Sequence, residues 1–79
     1  MKVTRQGNTT IYTVQNYSIG NFESISLEAW HIYNPNLHTE EKEWYVSKYR
    51  EGLCIERKKY QSRNAATNKI TKEIRKRLP

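Results

Sequence analysis

The chain has no aspartate and only one cysteine, Cys54. A lone cysteine excludes an intramolecular disulfide, the staple that small secreted domains usually need, so a reducing, intracellular setting is expected. No apolar run exceeds three residues, far short of the roughly 20 that a membrane-spanning helix requires. The opening Met1-Lys2-Val3-Thr4-Arg5-Gln6 lacks the apolar stretch of a signal peptide. The expected location is therefore the cytoplasm, with no membrane partner. Asn8-Thr9-Thr10 and Asn16-Tyr17-Ser18 match the glycosylation sequon, but without a secretory route the match is accidental. The three glycines, Gly7, Gly20 and Gly52, are far apart and each matches a turn, so no phosphate-cradling loop exists. Cys54, His31 and His38 have no paired spacing, which argues against a zinc site, and no cofactor is expected.

Size excludes more. The 79 residues hold one domain, and a chain this short buries only about 60 to 65% of the surface it exposes when unfolded. Its expected core is Ile11, Val14, Ile25, Leu27, Trp30, Ile32, Trp44, Val46, Leu53, Ile55, Ile70, Ile74 and Leu78. That suffices for one sheet against one helix and leaves little room for a deep substrate pocket. Glu40, Glu41 and Glu43 sit on a polar stretch where nothing separates their pKa values into an acid and a base. Cys54 lies between Leu53 and Ile55 in an expected strand and reads as a structural thiol. An enzyme is not expected.

Positive charge is abundant. Lys and Arg number 14 against 8 glutamates, and the excess is uneven. Residues 1–46 carry three bases and five acids, net −2, whereas residues 47–79 carry eleven bases and three acids, net +8. Such a field suits an anionic partner.

The pattern predicts an α+β fold, an antiparallel sheet of four to five strands packed against one carboxy-terminal amphipathic helix. Residues 2–6 and 9–17 read as strands joined at Gly7-Asn8, with a further turn over Ser18-Ile19-Gly20-Asn21. In a third strand, Ser24 to Tyr33, Ile25 and Leu27 share one face and Trp30 and Ile32 the other, which suggests a bulge near Ala29. Asn34 to Glu43 reads as a polar connection in which Thr39 caps a short helical turn. Strands 43–50 and 53–60 then flank the Glu51-Gly52 turn. From Ser62 or Asn64, Ala66, Ile70, Ile74 and Leu78 recur every four residues and predict the helix. Lys69, Lys72 and Lys76 lie on one flank of that stripe and Arg75 on the outer face.

A two-residue loop at Glu51-Gly52 would set Tyr49 opposite Cys54, Ser47 opposite Glu56 and Tyr45 opposite Lys58. Trp44, Val46, Leu53 and Ile55 would then face the helix. The other face would interleave Tyr45, Tyr49, Lys58 and Tyr60, with Glu56 among them. Lys and Arg neutralise phosphates while tyrosine rings stack on bases, so this face is the expected contact surface for DNA or RNA. The expected contact residues are Tyr45, Tyr49, Arg50, Arg57, Lys58, Lys59 and Tyr60 of the hairpin, and Lys69, Lys72 and Lys76 of the helix.

Glu43-Trp44-Tyr45-Val46-Ser47-Lys48-Tyr49-Arg50-Glu51-Gly52, then Ile55 to Tyr60, then Ala65-Ala66 opening a helix, resembles the amino-terminal DNA-binding domain of tyrosine-recombinase integrases. The resemblance covers residues 43–78. It implies a three-stranded sheet backed by a helix, with the sheet laid in the major groove. Tyr45, Tyr49, Arg50, Arg57, Lys58 and Lys59 would be the contacts. The extra amino-terminal strands and the missing catalytic domain depart from that family, and recombination is not implied. The leading expectation is a non-catalytic nucleic-acid-binding module, a small regulator from a phage or mobile element. One alternative is a protein-binding inhibitor, such as a phage-encoded antagonist of a host nuclease or defence complex, occupying an acidic protein surface. Another is a homo-oligomeric structural protein, a homodimer for example, closed through an apolar patch at Trp30 and Ile32.

Overall fold

The computed structural model describes residues 2–77, and the side chains of residues 2–76. Five strands, β1 (Lys2–Gln6), β2 (Thr9–Gly20), β3 (Glu23–Asn34), β4 (Thr39–Arg50) and β5 (Leu53–Tyr60), pair antiparallel in chain order, and helix α1 (Arg63–Arg77) follows. The α+β expectation holds, with five strands and one helix among the described residues.

Two pairs of turns close the ends of the sheet. At one end Tyr33 N donates to Asn8 O at 2.9 Å, tying the β1–β2 turn to the end of β3. At the other, Glu51 N donates to Phe22 O at 2.7 Å, so the β2–β3 and β4–β5 turns lie side by side. Glu51 and Gly52 both have positive φ, 51° and 82°, as the two-residue turn that matches strand twist requires.

Ser62 caps the helix: its Oγ accepts from Ala65 N at 3.2 Å, and its carbonyl accepts from Ala66 N at 3.1 Å. The helix lays Ala66 and Ile70 on Ile25, Leu27 and Val46, and Val14, Ile19, Trp44, Tyr60 and Ile74 close the edges of this core. Ala66 lets the backbone of α1 come close to the sheet. Leu78, expected in the same stripe, lies outside the described residues.

Four sequence expectations are corrected. The phase change in β3 is no bulge: β3 pairs with β4 without interruption from Glu23↔Arg50 to Asn34↔Thr39. Ordinary alternation over a strand buried on both sides explains it, and the irregularities fall in β2, between Thr13 and Gln15 and between Ser18 and Gly20. The extra residues there, Val14 and Ile19, both turn to the helix core. Thr39 caps nothing; it opens β4, because residues 39–43 find partners in β3, with His31 Nδ1 3.1 Å from Glu40 Oε1. The β2 strand also runs on to Gly20, which leaves Asn21 and Phe22 as the turn.

The fourth correction concerns the β4–β5 register. The Glu51-Gly52 turn is as expected, with Tyr49 opposite Cys54, but Lys48 then pairs with Glu56, so Ile55 is an extra residue. One inserted residue sends every later side chain to the opposite face. Ser47 therefore faces Arg57, Tyr45 faces Lys59, and Lys58 and Tyr60 stand on the helix side opposite Val46 and Trp44. Leu53 (72% exposed) and Ile55 (53% exposed) are not core residues. The shifted register brings Arg57, rather than Glu56, to the side of the buried Glu28 carboxylate.

Among the described residues no other element covers the face away from α1, yet Glu28 (1% exposed), Ser26, Ser47 and Ile11 are buried there. Curling of the sheet accounts for this. Strands repeat every ~4.8 Å, which would set the edges of a flat five-stranded sheet roughly 19 Å apart. Here one 170 Å³ cavity is lined by Lys2 of β1 and by Arg57 of β5. Bulges in β2 and β5 supply the added twist.

Candidate nucleic-acid interface

Burying a carboxylate is costly unless donors surround it, and Glu28 organises the concave face accordingly. Its Oε1 accepts from Ser47 Oγ at 2.8 Å, Trp30 Nε1 at 3.2 Å and Arg57 Nε at 3.2 Å, and its Oε2 accepts from Tyr49 OH at 2.7 Å. Burial pushes the Glu28 pKa up, but the hydrogen bonds from Tyr49, Ser47 and Trp30 and the Arg57 charge outweigh it and hold the group below the usual carboxylate value. Burial and the bond to Glu28 raise the Tyr49 hydroxyl in turn. The Arg57 guanidinium lies 5.0 Å from the Trp30 ring centre, and Trp30 stands 4.4 Å from the Tyr45 ring. Tyr45 OH donates to Glu43 at 3.0 Å, and Glu43 also takes Lys59.

These contacts sort the expected site residues. On the concave face the structure gathers Tyr45, Tyr49, Arg57 and Lys59, and each of the four side chains bonds Glu28 or Glu43. Arg50 pairs with Glu23 at 3.1 Å. Tyr60 packs at the edge of the helix core, with Lys58 Nζ 5.8 Å from its ring centre. Lys69 is half-buried and bonds Glu73 at 2.9 Å, and Glu73 also meets Lys48 at 3.3 Å. The hydrogen bond from Lys69 and the neighbouring Lys48 hold the Glu73 pKa at about 2.

Of the cations that remain, Lys2 and Arg5 lie on β1 and Lys42 on β4, and the others are on or beside α1 in the sequence. Among the described residues Lys58, Arg63, Lys72, Arg75 and Lys76 are exposed and pair with no carboxylate. Four of them are on α1, whose sequence carries six bases and the single acid Glu73. Asn64, Asn68, Thr71, Lys72 and Arg75 are all exposed and recur at spacings of three and four, so they form one outward stripe. Arg63 opens the helix at the positive end of its dipole, where a cation is disfavoured. Its guanidinium rests 5.7 Å from the Trp44 ring centre. Lys72, Arg75 and Lys76 repel one another across single turns.

Sequence reasoning missed Glu28, Trp30, Ser47, Arg63 and Arg75 as site residues. Glu28 carried a usable signal, a carboxylate in mid-strand between the apolar Leu27 and Ala29. Arg63 carried another, a base in a first helical turn with no acid. Compared with family models, curated proteins and solved structures, the chain matches none. No helix among the described residues is long and apolar enough to cross a membrane.

Proposed function

We propose that the protein is a non-catalytic nucleic-acid-binding module, acting in the cytoplasm, whose contact surface is the outer face of α1 with the adjoining Lys58. The observation that carries this reading is the segregation of charge. Glutamates occupy Arg50, Arg57 and Lys59 of the sheet, while Lys58, Arg63, Lys72, Arg75 and Lys76 have no carboxylate partner among the described residues; the other unpaired bases, Lys2, Arg5 and Lys42, are spread over β1 and β4. An exposed helix edged with cations matches the width of a DNA major groove, and Asn64 and Asn68 offer the amides that read adenine edges. The integrase-like reading would lay the sheet there instead, and the ion pairs on the concave face weigh against that arrangement. Replacing Lys72, Arg75 and Lys76 together by alanine tests the choice. Binding of a mixed duplex at low salt should be lost while the circular dichroism stays unchanged. Binding that survives in this variant and disappears in Tyr49→Ala would return the contact to the sheet.

A second reading, a protein partner, is favoured by one feature. Phe22 is 79% exposed beside the β4–β5 turn, on the same end of the sheet as Leu53. Apolar residues gathered at one tip suit a protein surface.

A further inference from the structure

The concave face holds a second, differently built feature. The 170 Å³ cavity at its centre opens beside a 430 Å³ groove, and Lys2, Thr13 and Tyr49 line both. Around the smaller space stand Lys2, Thr4, Gln6, Thr13 and Arg57, with Glu28, Ile11 and Tyr49 completing its wall. Around the larger stand Thr13, Asn16, Ser24, Ser26 and Tyr49. We infer that this groove binds a phosphomonoester on a small hydroxylated body, the chemistry of a sugar phosphate, with the phosphate beside Arg57 and Lys2.

Arg57 is held ready for such a ligand. Its Nε is fixed by Glu28 and Ser47 and its Nη2 by Tyr49 at 3.2 Å, with the ring of Trp30 beneath. This leaves Nη1 without a protein partner among the described residues, on a side chain 34% exposed. An arginine fixed in this way loses little freedom on binding, and its planar fork matches phosphate oxygens. Lys2 forms no ion pair among the described residues and brings a second cation. Glu28 does not oppose the ligand strongly, since four donors already share its charge and it is buried. Two cations with two threonine hydroxyls and an amide offer more donors than a carboxylate's two oxygens use, and suit a phosphate's three. Beside the Tyr49 ring the larger groove supplies the hydroxyls of Thr13, Ser24 and Ser26 and the amides of Gln15 and Asn16, groups that suit a hydroxylated body.

The site shares no residue with the helix surface, so the two proposals fail separately. Ribose phosphate titrated into nitrogen-labelled protein should give saturable amide shifts at Thr4, Thr13, Ser26 and Arg57. Ribose alone and inorganic phosphate should each bind at least about tenfold more weakly, having lost one set of contacts. Lys2→Ala, at an exposed position with no ion pair, should weaken binding about tenfold and leave melting unchanged. The triple alanine variant of Lys72, Arg75 and Lys76 should bind the sugar phosphate as wild type does. The phosphorylated end of a nucleic-acid strand carries the same group. In the triple variant a tighter response to a short end-phosphorylated oligonucleotide than to ribose phosphate assigns the groove to strand ends, and the reverse assigns it to a free sugar phosphate. Shifts confined to α1, no saturable shift at millimolar ligand, or wild-type affinity in Lys2→Ala would overturn the proposal.

Discussion

Arg57 Nε lies 3.2 Å from Glu28 Oε1 on the sheet face that α1 leaves uncovered, and the pair joins β5 to β3 across β4. Removing the cation leaves a carboxylate that is 1% exposed with neutral donors only. Arg57→Ala should therefore destabilise the fold by about 2 to 3 kcal/mol, below the range for a fully buried pair because Arg57 is partly in water. The loss should shrink in acid, where Glu28 of the variant can take up a proton. Denaturant melts at neutral and acidic pH check this, and an equal loss at both would show that Glu28 does not depend on Arg57.

Core and tip should respond differently. Ile70 is buried against Ile25, Leu27 and Val46, and Ile70→Ala should cost about 2 to 5 kcal/mol. Leu53→Ser and Ile55→Thr, on exposed side chains, should stay within about 0.5 kcal/mol. Thermal melts of the three variants separate the two groups. A large loss at Ile55 would mean that β5 lacks the bulge and turns Ile55 inward.

Stability should fall in acid through Glu73. Its folded pKa of about 2 lies below the ordinary 4.5, so its contribution is fully present above about 4.5 and is lost as the pH falls toward 2. Glu28 and Glu43 shift in the same direction and add to the loss. Glu73→Gln should lower stability at neutral pH and flatten the acid limb, as urea midpoints measured from neutral pH down to about pH 3 would reveal. An acid limb unchanged in this variant would exclude the Lys48–Glu73–Lys69 cluster as its source.

Local chemistry made most of the fold legible. Threonine, isoleucine and tyrosine mark β2, Gly52 marks the β4–β5 turn, and the four-residue spacing of Ala66, Ile70 and Ile74 marks the inner side of α1. What sequence did not reveal depends on contacts between distant residues. The bulge at Ile55 has no local signature, because Leu53-Cys54-Ile55 is an unbroken apolar run with no glycine to mark it; it accompanies a contact between distant strands, Arg57 of β5 with Glu28 of β3. That single step moved Lys58 and Tyr60 off the expected aromatic and basic face. The basic half of the chain was visible in composition, but which bases remain free was not, since that depends on Glu23, Glu28 and Glu43 reaching Arg50, Arg57 and Lys59 across the sheet.

The salt dependence of duplex binding tests the central claim most directly. With Lys58, Arg63, Lys72, Arg75 and Lys76 each on a phosphate, the slope of log K against log salt should be near about −4.5, and it should fall to about −1.8 when Lys72, Arg75 and Lys76 are alanine. Lys59→Ala combined with Tyr49→Ala should leave the wild-type slope in place. Fluorescence anisotropy at a series of salt concentrations measures all three. No duplex binding by the wild type at low salt, or a triple variant that keeps the full slope, would contradict the assignment of α1 as the nucleic-acid surface.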